Sequence, residues 1–178
     1  MNDNKTQNDD PTTEGDDPHY FVMKGRRWRR SDPNIPPSLY SELVKELMSA
    51  RRDVGTAKRG DDTLAMRAAR NRVQDAKVAL GERGHKWWLE RDNDAIRLRL
   101  AAAIRTLLRK RGHPKTICPS DAARVCDGND WHSLMKDAKQ VALEMVEAGW
   151  LEITQKGQLV SPPFKGAIRL RQVEGSDH

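Results

Sequence analysis

The stretch NDWHSLMKDAKQVALEMVEAGWLEITQKGQLV, residues Asn129 to Val160, decides the fold. Trp131, Leu134, Met135, Ala138, Val141, Ala142 and Met145 recur at steps of three and four, the period of one helix face. His132, Lys136, Lys139 and Gln140 fall off that stripe and are left to meet something outside the fold. Asn129 or Asp130 can accept the first unpaired backbone N–H groups. Gly149 can take the left-handed conformation that ends a helix, so the spacing predicts a helix over 130–148. Leu151 and Ile153, then Leu159 and Val160, bracket the polar run Thr154 to Gln158, in which Lys156-Gly157 suits a hairpin turn. The order is therefore helix, glycine stop, strand, basic turn, strand.

Upstream, Asp92 or Asp94 opens a second apolar pattern, Ile96, Leu98, Leu100, Ala103, Ile104, Leu107 and Leu108, which runs to Gly112. It leaves Arg97, Arg105, Arg109, Lys110 and Arg111 outside or in the last turn, where cations suit the helix dipole. Thr116 to Cys118 reads as a short extended link. Pro119 fits the first position of a small helix with Ala122, Ala123 and Val125 on its apolar face. Cys126 to Asn129 make the turn into the long helix, and Ala167, Ile168 and Leu170 suit a last strand.

Further upstream, Leu39, Leu43, Val44, Leu47 and Met48 predict a helix over 38–53, broken by Gly55 and Gly60. A second runs over 62–80, carrying Leu64, Ala65, Ala68, Ala69, Val73, Ala76, Val78 and Leu80, with Gly81 as its stop. Joined by a short polar connector, the two should form an αα-hairpin. With one small apolar face each, they must lean on the C-terminal part or on a second copy, so a homodimer or a protein partner is one expectation. Trp87 and Trp88 are candidates for that seam.

Composition sets the partner class. Residues 1–18 hold six acids against Lys5, a net −5, which leaves +11 on the rest of a chain whose total is +6. This segment is too polar to bury anything and reads as a disordered acidic tail. A body so basic suits polyanions. Between His19 and Arg30 the cations Lys24, Arg26, Arg27, Arg29 and Arg30 surround Trp28, which combines phosphate pairing with a ring for stacking. No apolar run reaches the ~18 residues of a membrane span, and no basic-then-apolar leader pattern is present. The expectation is a cytoplasmic protein without membrane contact.

No glycine-rich phosphate loop, paired carboxylates or nucleotide fingerprint occurs, so no catalytic residue and no cofactor is expected. Cys118, Cys126, His113 and His132 flank one small helix but lack the paired anchors that put two metal ligands on one turn, and no metal is expected. Buried or half-buried thiols are the reading preferred for both cysteines.

The order helix (92–111), extended link, small helix (119–126), turn, long helix (130–148) and hairpin (151–160) resembles the winged helix-turn-helix superfamily. The run Ile117-Cys118-Pro119-Ser120-Asp121-Ala122-Ala123-Arg124, followed by Trp131, is one part of a closer likeness. With Gly149-Trp150-Leu151-Glu152-Ile153-Thr154-Gln155-Lys156-Gly157, it is similar to one uncharacterised bacterial family of that superfamily, a domain of unknown function. Gly25 to Arg29, Val73 to Gly84 and Trp87-Trp88 are similar to stretches in other uncharacterised bacterial proteins. The resemblance implies a mainly α fold with a small β-hairpin. Its parts are an acidic tail (1–18), a basic arm with an αα-hairpin (19–90) and a winged helix domain (91–174).

Winged helices that bind DNA set the start of their third helix in the major groove and the wing on the backbone. The resemblance thus presents His132, Ser133, Lys136, Lys139 and Gln140 to the groove of double-stranded DNA. Gln155, Lys156 and Gln158 would meet phosphate or sugar, and Arg26, Arg27, Arg29 and Arg30 phosphates elsewhere. Asp137, Glu144 and Glu147 share the helix and repel phosphate, but they gather toward its end. The rival reading is a protein-interaction adaptor anchored by exposed tryptophans among Trp28, Trp87, Trp88 and Trp150.

Overall fold

The computed structural model describes residues 17–176, and the acidic tail lies outside the described residues up to position 16. The chain forms two compact units, one ending at Arg30 and one running from Ser31. In the first, β1 (Tyr20–Met23) and β2 (Arg26–Arg29) pair antiparallel, with Phe21 opposite Trp28 and Met23 opposite Arg26. Lys24 and Gly25 turn the chain with φ of 51° and 71°, the two positive values a tight two-residue hairpin requires. The basic arm is thus a β-ribbon. The Arg27 guanidinium lies 4.0 Å over the Tyr20 ring and 3.5 Å from the Asp17 carboxylate. Val22 and Met23, beside the turn, are 63 % and 53 % exposed.

The second unit begins with α1 (Pro37–Arg59), whose first residue is a proline, the residue best suited to a position with no hydrogen bond to lose. The helix runs through Gly55 rather than stopping before it. A helical glycine costs only about 1 kcal/mol, and continuing the helix buries Ala57 against the neighbouring helix. After Gly60 the chain turns back into α2 (Thr63–Ala79), capped by the Asp62 carboxylate on the Ala65 N–H at 2.9 Å. Arg72 of α2 ties the pair together through Glu46 (2.7 Å) and Asp53 (2.6 Å).

Helix α3 (Asn93–Arg111) is the hub: α1, α2, α4 (Pro119–Cys126) and α5 (Met135–Glu147) all pack on it. Asp92 caps it at Ala95 (2.7 Å). Leu100, Ile104, Leu107 and Leu108 are fully buried, whereas Leu98, expected on the same apolar face, is 68 % exposed. Strands β3 (Thr116–Ile117), β4 (Leu151–Gln155), β5 (Gln158–Leu159) and β6 (Arg169–Gln172) form one antiparallel sheet in the order β3-β6-β4-β5. One core joins Leu43 and Leu47 of α1, Ala76 and Leu80 around the end of α2, the α3 leucines, Val125, Val141, Ile153 and Leu170. The protein is mainly helical with small antiparallel sheets. Among the described residues no helix is long and apolar enough to cross a membrane.

Most α3 cations do not face solvent as free charges. Arg105 grips Asp75 with Nε (2.9 Å) and Nη2 (2.7 Å), and Arg109 reaches the same carboxylate at 2.7 Å. Arg111 bridges Glu42 (2.8 Å) and Asp121 (3.1 Å). The Asp75 and Glu42 pairs tie α3 to segments distant in sequence.

The two cysteines are free thiols, Cys118 half-buried and Cys126 buried. Burial pushes the Cys126 thiol up to about 12, so at pH 8 only about one molecule in ten thousand carries the reactive thiolate. Iodoacetamide at pH 8 is therefore expected to leave Cys126 unmodified in the native protein and to modify both cysteines in guanidinium. Peptide mass spectrometry reads the difference, and alkylation of native Cys126 at the unfolded rate would contradict the burial.

Candidate nucleic-acid interface

The turn between α4 and α5 sets which cations reach the surface. Asp127 Oδ1 accepts the N–H groups of Asn129 (3.1 Å) and Asp130 (2.9 Å), and Oδ2 accepts from Arg91 Nη2 at 2.8 Å. Burial alone would raise the Asp127 carboxyl. The Asp130 N–H, the Arg91 guanidinium and the Asn129 N–H outweigh it and hold the group below the usual carboxylate range. This turn takes up the backbone N–H groups that a helix starting at residue 130 would have presented. Helix α5 accordingly begins at Met135, well over one turn later than the start at 130 that the sequence spacing predicts.

His132 and Ser133 consequently lie in the turn, not on the helix. The His132 ring stacks on Trp131 with centroids 3.6 Å apart, and Arg124 of α4 places its guanidinium 4.4 Å from the Trp131 centroid. Ser133 Oγ donates to the Asp130 carbonyl (2.8 Å), which closes the turn on itself. Arg124 is a cation beside the candidate residues that sequence reasoning did not place there. No periodicity links it to Trp131, because the turn between them is irregular.

On α5, Ala138, Val141, Ala142 and Met145 are buried, as their spacing requires, and Lys136, Lys139 and Gln140 are exposed. Gln140 is not free: its Nε2 donates to Glu144 at 3.2 Å, and Glu144 also pairs with Arg97 of α3. The Arg97 hydrogen bond, then that of Gln140, holds the Glu144 carboxyl below its ordinary value. Of the three acids expected to repel phosphate, Glu144 is thereby compensated, whereas Asp137 stands in the first turn of α5 and not toward its end, because the helix begins only at Met135.

The hairpin turn falls where the spacing placed it. Gln155 pairs with Gln158, and Lys156 and Gly157 between them have φ of 50° and 83°. Lys156 stands exposed at the tip, with Gln158 beside it. Gln155 Nε2 instead donates to the carbonyls of Lys165 (2.8 Å) and Ala167 (3.1 Å), pinning the loop that leads to β6. Arg26, Arg27, Arg29 and Arg30 belong to the separate β-ribbon unit.

The tryptophan anchors of the rival reading are all half-buried. Trp87 and Trp88 meet edge to face at 5.1 Å, and Trp150 packs under Arg109 at 5.6 Å.

Residues 97–173 match a family model described as "Protein of unknown function (DUF3253)". The matched segment is less than half of the chain, and it starts inside α3 and ends just beyond β6. No curated protein matches the sequence.

Proposed function

We propose that α3 to β6 is a winged helix and that it binds double-stranded nucleic acid without catalysing a reaction. The connectivity supports the first part. Helix, strand, helix, helix, two-stranded hairpin and a last strand follow in order, and the first strand pairs with the last. In such an arrangement α4 and α5 are the helix-turn-helix, α5 enters the major groove and the β4–β5 turn rides on the backbone.

The observation that carries the binding reading is the state of the cations. Arg97, Arg105, Arg109 and Arg111 are paired with carboxylates, whereas Lys136 and Lys139, both exposed on the first turns of α5, have no ion pair among the described residues. Unpaired lysines on an outward helix face are available to phosphates and to guanine edges. Arg124, over the same Trp131 ring on which His132 stacks, extends the basic surface past the start of α5, and Lys156 supplies a cation on the turn. Gln140 and Gln155 act within the fold, through Glu144 and the 165–167 loop. The β-ribbon arginines supply further phosphate contacts.

Fluorescence anisotropy of a labelled 20-base-pair duplex, titrated from low to moderate salt, tests this. The double variant Lys136→Ala, Lys139→Ala is expected to bind about tenfold or more weakly, with the log–log salt slope reduced in magnitude by about 1.8 for two lost phosphate contacts. Circular dichroism should remain that of the parent, since both side chains are exposed. Unchanged affinity and slope in the folded double variant would sink the assignment.

A further inference from the structure

A cavity of about 530 Å³ lies away from α5, between α2, the connector 81–92 and the first half of α3. That volume is typical of small-molecule sites, which combine apolar walls with a few polar groups. Here the apolar walls are Val78 of α2, Trp87 of the connector and Leu98 of α3. Leu98 is the leucine that breaks the burial pattern of α3, and a mostly exposed leucine at a cavity wall is apolar surface available to a ligand. Trp87 is held in place from behind: a Cβ on Gly81, whose φ is +79°, would lie 2.9 Å from its Cδ1.

The polar groups in the wall include guanidiniums. Arg99 is 7 % exposed, donates through Nε to the Ala79 carbonyl (3.2 Å) and pairs through Nη1 with Asp32 (2.9 Å). Its buried Nη2 has no acceptor among the described residues. Leaving a buried donor unmatched is costly, and more so on a charged group. Arg83 Nη1 donates to Gln74 Oε1 at 2.6 Å, a neutral acceptor that leaves its charge uncompensated by that contact. Two of the three carboxylates in the wall are already committed. Asp75 is bridged by Arg105 and Arg109, and Asp92 caps α3, which leaves Asp94 on the first turn of α3.

We propose that this cavity binds a small aromatic acid, its ring against Trp87 and Leu98 and its carboxylate toward Arg83 and Arg99. A planar guanidinium matches a carboxylate in geometry, and an indole offers ring contacts beyond simple area burial. The site is composite. Leu98 and Arg99 lie inside the family-matched segment, but Val78, Arg83 and Trp87 lie before it. It is therefore a property of the helical hairpin joined to that segment, and it is independent of the nucleic-acid reading.

Isothermal titration of the full chain tests it with three probes of one shape: 1-naphthoate, 1-naphthalenemethanol and 1-naphthylmethylammonium. The expected result is saturable binding of one naphthoate per chain, about tenfold or more tighter than either other probe. Leu98→Asp sets a carboxylate at an already exposed position and should weaken naphthoate binding about tenfold. Arg83→Ala, also exposed, should weaken naphthoate several-fold while leaving the alcohol unchanged, which separates loss of charge from loss of shape. Failure of naphthoate to saturate at millimolar concentration overturns the proposal. So does binding no tighter than that of the alcohol or the ammonium, and so does affinity unchanged in both folded variants.

Discussion

Replacing Asp32 by alanine is expected to lower the unfolding free energy by about 3–5 kcal/mol. Asp32 is 5 % exposed, faces Arg99 at 2.9 Å and accepts the Asn34 N–H at 2.9 Å. The intact pair need not itself be strongly stabilising, since two charges have left water to make it. The cost of the variant is the Arg99 charge left buried without a counter-ion, and the Asn34 N–H left without an acceptor. This reasoning distinguishes the single from the double variant. Asp32→Leu combined with Arg99→Met removes both charges and is expected to lose less stability than Asp32→Ala alone. Urea unfolding at fixed pH measures it, through the midpoint at unchanged slope. A single variant within about 1 kcal/mol of the parent would show that water reaches Arg99 and that the pair is not truly buried.

Gly128→Ala is expected to cost about 3 kcal/mol although it adds one methyl group. A Cβ at residue 128 would lie 1.9 Å from the Asn34 carbonyl oxygen and 3.0 Å from its carbonyl carbon. The obstacle is backbone, so no side-chain rotation relieves it. Gly→Ala changes commonly gain about 0.4–1 kcal/mol by restricting the unfolded chain, and here the steric term exceeds that gain. The loss should also appear locally: the turn 127–130 carries Asp127 and leads to Trp131, so Trp131 fluorescence should shift even where the variant stays folded. A Gly128→Ala protein as stable as its parent would mean that the loop at Asn34 stands further from the α4–α5 turn than described.

Both variants act on contacts that pattern reading does not reach. Helix existence was legible wherever one element sufficed to explain itself. The α5 stripe, the opening of α3 at Asp92 or Asp94, Pro119 at the start of α4 and the Lys156-Gly157 turn each depend on neighbours a few residues away. What failed depends on distant partners. The start of α5 moved because Asp127, steadied by Arg91 from 36 residues upstream, takes the Asn129 and Asp130 N–H groups. Helix α1 outlasted Gly55 because α2 covers its end. Spacing alone leaves the α3 arginines as outward cations, because Asp75 and Glu42 stand 30 and 69 positions away from Arg105 and Arg111. At the candidate interface, Lys136, Lys139 and Lys156 stand where the pattern set them. Arg124 needed the fold to bring it to Trp131, and Gln140 and Gln155 turned out to have internal partners.

Arg99 has a kinetic consequence. Its guanidinium gathers Asp32, the Ala79 carbonyl and the Cys126 carbonyl, groups separated from it by 67, 20 and 27 positions. Closing loops of that length is an entropic charge that must be met before any of these bonds forms. Such a junction belongs late on the folding path, after α3 and its leucines have found their neighbours. Interactions absent from the transition state govern the rate of escape from the native state rather than the rate of arrival. The loss of stability in Asp32→Ala is thus expected to appear in stopped-flow kinetics mainly as faster unfolding, with the folding rate little changed.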